Sequence, residues 1–142
     1  MSDPFNLRRF VKAQDPVYSR VLAELRHGEK RSHWMWFVFP QIQGLGSSPL
    51  AECYAISSLD EARAYLDHPQ LGPRLIECCE ILETIEDSSA EEIFGYPDVD
   101  KLRSSMTLFA RASDGETIFS RILNKFYAGE ADPQTLERIG RS

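Results

Sequence analysis

Residues 70–86 read QLGPRLIECCEILETIE, and this stretch carries the clearest helical pattern in the chain. Its apolar side chains recur at intervals of three and four residues, a spacing that places them on one face of an α-helix. The pattern therefore predicts a long helix over these residues. Its buried stripe would consist of Leu71, Leu75, Cys78, Cys79, Leu82 and Ile85.

Signals for the start of a helix recur on both sides of this stretch. Asp–Pro pairs at residues 3–4, 15–16 and 132–133 each place a capping aspartate before a proline at the first helical position. They predict helices over residues 3–13 and 15–27 and a short last helix. Further cap signals predict helices that begin at Ser58, Asp98 and Asp114.

No segment alternates apolar and polar residues in the way that a half-buried strand does. The only strand candidate, VFPQI at residues 38–42, contains a proline, which cannot donate a hydrogen bond to a sheet. The 142 residues suit a single domain, and no linker or repeat divides them. The sequence therefore predicts one all-α domain over residues 1–142, with about eight to ten short helices in an orthogonal array and no significant sheet.

The formal net charge is −6, which argues against wholesale nucleic-acid binding, because such binding needs a basic surface. This charge is unevenly spread along the chain. Residues 60–100 carry 12 acidic and 2 basic side chains, whereas the segments on both sides are mildly basic. In one interpretation the acidic residues coat solvated helix faces. In the other, the two basic ends come together around an anionic ligand.

The chain has three cysteines, of which Cys78 and Cys79 are adjacent. This spacing suits neither a disulfide nor a zinc site, so we interpret all three as small core side chains in a reducing compartment. The longest apolar run, residues 34–40, is far shorter than the ~20 residues of a membrane span. Metal-ligand spacing and the common nucleotide and hydrolase motifs are absent. We expect a cytoplasmic protein with no metal, cofactor, nucleic-acid or membrane partner.

Residues 30–41 read KRSHWMWFVFPQ and concentrate unusual side chains. Both tryptophans of the chain lie here, preceded by two cations and a histidine. In the functional interpretation one tryptophan forms a flat stacking wall, and His33 beside it is the catalytic acid or base, since imidazole titrates near neutral pH. In the alternative, the aromatic side chains only fill the core. The predicted ligand-binding residues here are Trp34, Trp36, Gln41 and, in the following loop, Ser47.

Residues 97–109 read PDVDKLRSSMTLF and place many polar side chains at a helix start, where anions bind readily. Lys101 lies in the first turn, where a cation does not complement the helix dipole. With hydroxyl groups three and four residues further on, it would grip a phosphate or carboxylate; as catalytic residues, Asp100 would be the acid or base and Lys101 the charge stabiliser. The alternative is an ordinary capped surface helix. The predicted ligand-binding residues here are Lys101, Ser104, Ser105 and Thr107.

Three stretches, taken in order, make the chain resemble a known family. They are KRSHWMWFVFPQIQGLGSS at residues 30–48, YAISSLDEARAYLDHPQLGPRL at residues 54–75 and FGYPDVDKLRSSMTLFA at residues 94–110. Together they resemble the bacterial family called domain of unknown function 1810. Some members carry the label calpastatin, but nothing in the sequence supports a calpain inhibitor. The resemblance implies a single all-helical domain and assigns no activity.

Two functions fit these features best. A third, nucleic-acid binding, is the least favoured because the chain is acidic overall; it would use Arg8, Arg9, Lys12, Arg26, Lys30 and Arg31. The first is a site for a small anionic, ring-containing, nucleotide-like ligand where residues 33–41 and 98–107 meet, with hydrolysis or group transfer as the reaction of a catalytic site. The second is a helical module that binds a protein partner through the acidic face of residues 60–100. The sequence favours the first and leaves the oligomeric state open.

Overall fold

The structure is a computed structural model that describes residues 3–140, and all of its regular elements are helices. The described residues contain no strand, and only Ile42 and Ile56 form an isolated parallel bridge. The predicted all-α fold is confirmed. In chain order the helices are α1 (Arg8–Gln14), α2 (Tyr18–Arg26), α3 (Met35–Val38), α4 (Pro49–Cys53), α5 (Leu59–Asp67), α6 (Leu71–Thr84), α7 (Ala90–Phe94), α8 (Asp98–Ala112), α9 (Ile118–Tyr127) and α10 (Pro133–Gly140).

The core lies around α6 and α8. Helix α8 packs against α5, α7, α9 and α10, while α6 packs against α2, α5 and α9. The predicted stripe of α6 is buried except for Ile85, which follows the last turn and is only partly covered. The Sγ atom of Cys79 lies 3.7 Å from the Sδ atom of Met106, where the two helices meet in the core.

The cysteines differ in environment. Cys78 and Cys79 are fully buried, as predicted, and burial raises the pKa of the Cys78 thiol to about 12. The prediction that Cys53 is a core side chain is wrong, because Cys53 is exposed. It ends α4, a five-residue helix that lies on the surface and buries none of its residues.

Two of the predicted helix caps form the expected hydrogen bonds. Ser58 Oγ accepts from the backbone N–H of Glu61 at 3.2 Å at the start of α5. Asp132 Oδ2 accepts from the backbone N–H of Thr135 at 3.2 Å at the start of α10. Local spacing thus predicts both helix starts correctly. Three other helices begin later than the sequence predicts, namely α1 at Arg8, α2 at Tyr18 and α9 at Ile118.

Two aspartates that were predicted to cap helices form ion pairs instead. Asp15 has helical backbone angles, φ −49° and ψ −49°, and continues α1, whereas a capping residue is normally non-helical. Its carboxylate lies 2.8 Å from Arg74 of α6. Asp98 is already the first residue of α8, and its carboxylate lies 2.8 Å from Lys30 Nζ. Both aspartates therefore join separate segments of the chain.

A buried carboxylate on α2 holds the segment between α2 and α3. The Oε1 atom of Glu24 accepts from the backbone N–H groups of Arg31 at 2.7 Å and Ser32 at 3.0 Å and from the indole N–H of Trp34 at 3.0 Å. Its Oε2 atom accepts from the Ser32 hydroxyl at 2.5 Å. Burial alone would raise the pKa of Glu24, but these donors outweigh it and lower the pKa to about 2. One side chain thereby orients the whole segment.

We predict that Glu24→Gln lowers the free energy of unfolding at neutral pH by about 2–4 kcal/mol, because the donors then face a neutral amide. The pKa of Glu24 in the folded protein lies below the unfolded value of 4.5. The stabilisation by Glu24 is therefore complete above pH 4.5 and is lost as the pH falls towards 2. Urea unfolding over this pH range should show that the free energy of unfolding falls less steeply with decreasing pH in the variant than in the wild type.

Glu80→Gln is the matched control, because Glu80 is an exposed glutamate on α6. It should change the unfolding free energy by less than about 0.5 kcal/mol. Equal stability of the Glu24 and Glu80 variants would contradict the role assigned to Glu24.

Candidate functional site

Three neighbouring cavities lie near Trp36 and the first turns of α8, and they share lining residues. The α8 cavity, of about 610 Å³, lies between α8 and the loop at residues 41–48. The α3 cavity, of about 370 Å³, lies between residues 30–36 and residues 96–101. The α10 cavity, of about 360 Å³, lies between residues 41–46, α4 and α10. The two segments that the sequence singles out therefore lie side by side.

Three of the predicted ligand-binding residues each border two of these cavities. Lys101 borders the α8 and α3 cavities, Trp36 borders the α3 and α10 cavities, and Gln41 borders the α8 and α10 cavities. An aromatic ring, a cation and an amide are thus grouped at the centre of the site. Among the other predicted residues, Ser47, Asp100 and Ser104 line the α8 cavity, and the exposed His33 lines the α3 cavity.

A chain of charges places Trp36 beside Lys101. Lys101 Nζ lies 5.2 Å from the centroid of the Trp36 ring, within the range of a cation–π interaction. The same atom lies 3.6 Å from Asp98 Oδ1, and Asp98 Oδ2 pairs with Lys30 at 2.8 Å. Lys30 Nζ also donates to the carbonyl of Ser32 at 2.6 Å. The segment before α3 is therefore tied to the start of α8.

Trp34 lies in the core and not in the cavities. Only 1% of the residue is exposed, and its indole N–H donates to Glu24. Its ring lies 6.2 Å from that of Phe39 and 6.5 Å from that of Phe94. The core-filling interpretation thus describes Trp34, whereas the half-buried Trp36 is the tryptophan that the cavities expose.

The hydroxyl groups of α8 are engaged within the protein or buried. Ser104 Oγ donates to Asp132 Oδ2 at 2.8 Å, and Thr107 Oγ1 accepts from the backbone N–H of Asp132 at 2.9 Å. Ser105 is 0% exposed, and its hydroxyl has no hydrogen-bond partner among the described residues. Only Ser104 borders one of the three cavities. Ser105 lies about 100° further around the helix and is buried in the core. Thr107 lies on the same side as Ser104, but it is 1% exposed and contacts the backbone of Asp132.

Arg138 and Tyr96 are among the cavity-lining residues that sequence reasoning missed. Arg138, on α10, borders the α10 cavity, and nothing in the local sequence distinguishes it from other charges on a short amphipathic helix. Tyr96 is 79% exposed and borders the α8 and α3 cavities. An aromatic residue in the break between α7 and α8 was the signal that would have pointed to it.

Comparison with known proteins agrees with this fold. The profile of a family described as a protein of unknown function, DUF1810, matches residues 4–139. The chain belongs to the DUF1810 family. The resemblance seen in the sequence is therefore confirmed, and the family description assigns no activity to its members.

A solved structure is closely similar to this DUF1810 protein. It is the conserved hypothetical protein Rv1873 from Mycobacterium tuberculosis, solved at 1.38 Å. The two chains are 59% identical, and the match covers 97% of this chain and 99% of that one with a TM-score of 0.95. None of the curated proteins matches the chain.

Two features that residues 3–140 lack bear on the kind of site. No helix in this part of the chain is both long and apolar enough to cross a bilayer. No three His, Cys, Asp or Glu side chains there are grouped in a way that could hold a metal ion. The groups that the cavities offer are therefore an aromatic surface, cations, amides and separate carboxylates.

Two adjacent serines provide a test of how α10 is held. We predict that Ser104→Ala lowers the free energy of unfolding by about 1 kcal/mol, because the partly buried carboxylate of Asp132 loses a hydrogen-bond donor. Ser105→Ala is the matched control and should be neutral or stabilising, because it removes a buried hydroxyl without a partner. Urea unfolding measures both effects. A larger loss for Ser105→Ala than for Ser104→Ala would contradict these assignments.

Proposed function

We propose that this DUF1810 protein binds a small anionic ligand with a flat ring, such as a nucleotide-like molecule, in the cavities around Trp36. The observation that carries the proposal is the shared border: Trp36, Lys101 and Gln41 each face two of the three cavities. One ligand can therefore contact an aromatic surface, a cation and an amide together. Small-molecule sites commonly combine an apolar wall with a few convergent polar groups.

Trp36 supplies the surface for the ring. Its side chain is half-buried, so the protein holds part of the indole while the rest faces the cavities. Flat heterocycles stack on such a surface whatever their substituents. Trp34 is buried in the core, whereas Trp36 is not, and this contrast supports a role for Trp36 other than packing.

Lys101 supplies the charge for the anionic group. It borders the α8 cavity together with Ser47, whose hydroxyl can donate a further hydrogen bond. Two carboxylates, Asp100 and Asp132, also line this cavity. Asp132 already accepts hydrogen bonds from α8 and from its own helix, which reduces its repulsion of an anion. We therefore place the anion next to Lys101, where the α3 cavity also opens.

Hydrolysis or group transfer is the reaction class that these groups suit. Lys101 would stabilise the negative charge that develops on the ligand. Asp100 in the α8 cavity, or His33 in the α3 cavity, would act as the acid or base. Both side chains are exposed, so either can exchange protons with water.

The alternative function, a protein-interaction surface on residues 60–100, has less support. Cations from other segments pair with three carboxylates of this acidic segment, so part of its negative charge is already neutralised within the protein. These ion pairs are Arg9–Glu61 at 2.9 Å, Lys30–Asp98 at 2.8 Å and Arg121–Glu83 at 2.8 Å. A protein partner, like a cytoplasmic location, stays a prediction from the sequence.

Thermal-shift and calorimetric titrations with AMP, ADP-ribose, ribose 5-phosphate and inorganic phosphate test the proposed site. A probe at ~100 times its dissociation constant should stabilise the protein by roughly 2.7 kcal/mol, which raises Tm by several degrees. We predict that Lys101→Gln weakens binding about tenfold, because it removes one charge-assisted contact. Trp36→Leu should weaken the binding of the ring-containing probes more than the binding of inorganic phosphate.

Lys12→Gln is the matched control, since Lys12 is an exposed lysine on α1 that borders none of the three cavities. It should bind every probe as the wild type does. The proposed function fails if no probe raises Tm of the wild type, or if the Lys12 and Lys101 variants bind equally well.

A further inference from the structure

Arg138 is held beside the α10 cavity by the packing of its helix. Asp132, directly before α10, is hydrogen-bonded to two side chains of α8. Thr135 is fully buried, and Ile139 packs against the core. These contacts anchor α10 near both ends, so the Arg138 side chain extends over the loop at residues 41–46.

The guanidinium group of Arg138 lies against the backbone of Gly44. A Cβ atom at position 44 would come within 2.6 Å of Arg138 Nη1 and 2.7 Å of Cζ, which is closer than atoms can approach. Gly44 also has a φ angle of +94°, which favours glycine. The glycine therefore leaves open the space that the arginine side chain occupies.

Arg138 forms no ion pair within residues 3–140. Lys101, by contrast, has a carboxylate partner in Asp98. A guanidinium group carries five N–H donors in a planar fork that fits a carboxylate or phosphate with two parallel hydrogen bonds. The donors of Arg138 that face the α10 cavity are thus available to a ligand.

The other walls of the α10 cavity suit the uncharged part of a ligand. Trp36 and Tyr54 contribute aromatic surface, and Gln41 contributes an amide that also borders the α8 cavity. One carboxylate, Glu52, lines the cavity as well. The Glu52 carboxylate would repel an anionic group of the ligand. We therefore expect the ligand group nearest to Glu52 to be an uncharged hydrogen-bond donor.

We infer that Arg138 is a second anion-binding residue, and that the ligand extends from Lys101 past Gln41 to Arg138 with an oxyanion group at each end. This inference rests on the proposed function and narrows its ligand class. The ligand carries two oxyanion groups, each a carboxylate or a phosphate, joined by an uncharged part whose ring lies on Trp36.

Quenching of tryptophan fluorescence by iodide tests the anion site directly. Trp34 is buried, so the emission that iodide reaches comes from Trp36. Arg138→Gln should lower the Stern–Volmer constant for iodide roughly twofold, because it removes a positive charge from the α10 cavity, which the Trp36 ring also lines. The constant for acrylamide, which is neutral, should not change. Inorganic phosphate and acetate, added as competitors, distinguish a phosphate from a carboxylate site.

Matched variants distinguish the effect of the charge at position 138 from the effect of a change in net charge. Arg20→Gln removes an exposed arginine from α2 and should leave the iodide constant unchanged. Arg138→Lys should keep most of the quenching, whereas Gly44→Ala, which displaces the guanidinium, should lower it as Arg138→Gln does. Trp36→Phe should abolish the iodide-sensitive emission.

A ligand with two phosphates tests the span of the site. Arg138→Gln should weaken the binding of adenosine 3′,5′-bisphosphate about tenfold. It should weaken the binding of AMP much less, because AMP has a single oxyanion group. Equal iodide constants for the Arg138 and Arg20 variants, or equal weakening of the two nucleotides, would overturn the inference while leaving the proposed function intact. The proposed function fails separately, when no ring-containing probe binds the wild type.

Discussion

An ionised carboxylate that is nearly removed from water is tolerated only when donors surround it, and Glu24 places this demand on the segment between α2 and α3. All of its donors come from residues 31–34. Because the Trp34 indole N–H donates to Glu24, the Trp34 ring lies in the core. Trp36, two residues further on, is left beside the cavities. The candidate site therefore depends on a network that does not itself line the α8 or α10 cavity.

Helix α8 serves the core and the site with different parts of its surface. Its inward side chains join α5, α7 and α9, while its first turn carries Asp98 and Lys101. The pair between Asp98 and Lys30 brings in the segment before α3, and the hydrogen bonds of Ser104 and Thr107 bring in α10. The three cavities lie where these segments converge, so one helix determines which distant residues line them.

Sequence reasoning identified several residues of the cavities but could not assign all of their roles. Trp36 and Lys101 stood out because their chemistry is unusual for an ordinary helix surface. The same reasoning could not separate Trp34 from Trp36, since the segment lacks a regular period and both are aromatic. It could not separate Ser104 from Ser105 either, because which side of α8 faces the core depends on where its neighbouring helices pack.

The sequence by itself determined the all-α class, the buried stripe of α6 and the caps at Ser58 and Asp132. Each of these depends on residues within a few turns of one helix, where spacing decides the geometry. Only the tertiary structure decided that Asp15 pairs with Arg74, 59 positions away, and that Arg138 lies over Gly44. The free energy of such contacts depends on which surfaces packing brings together, and no local pattern encodes that.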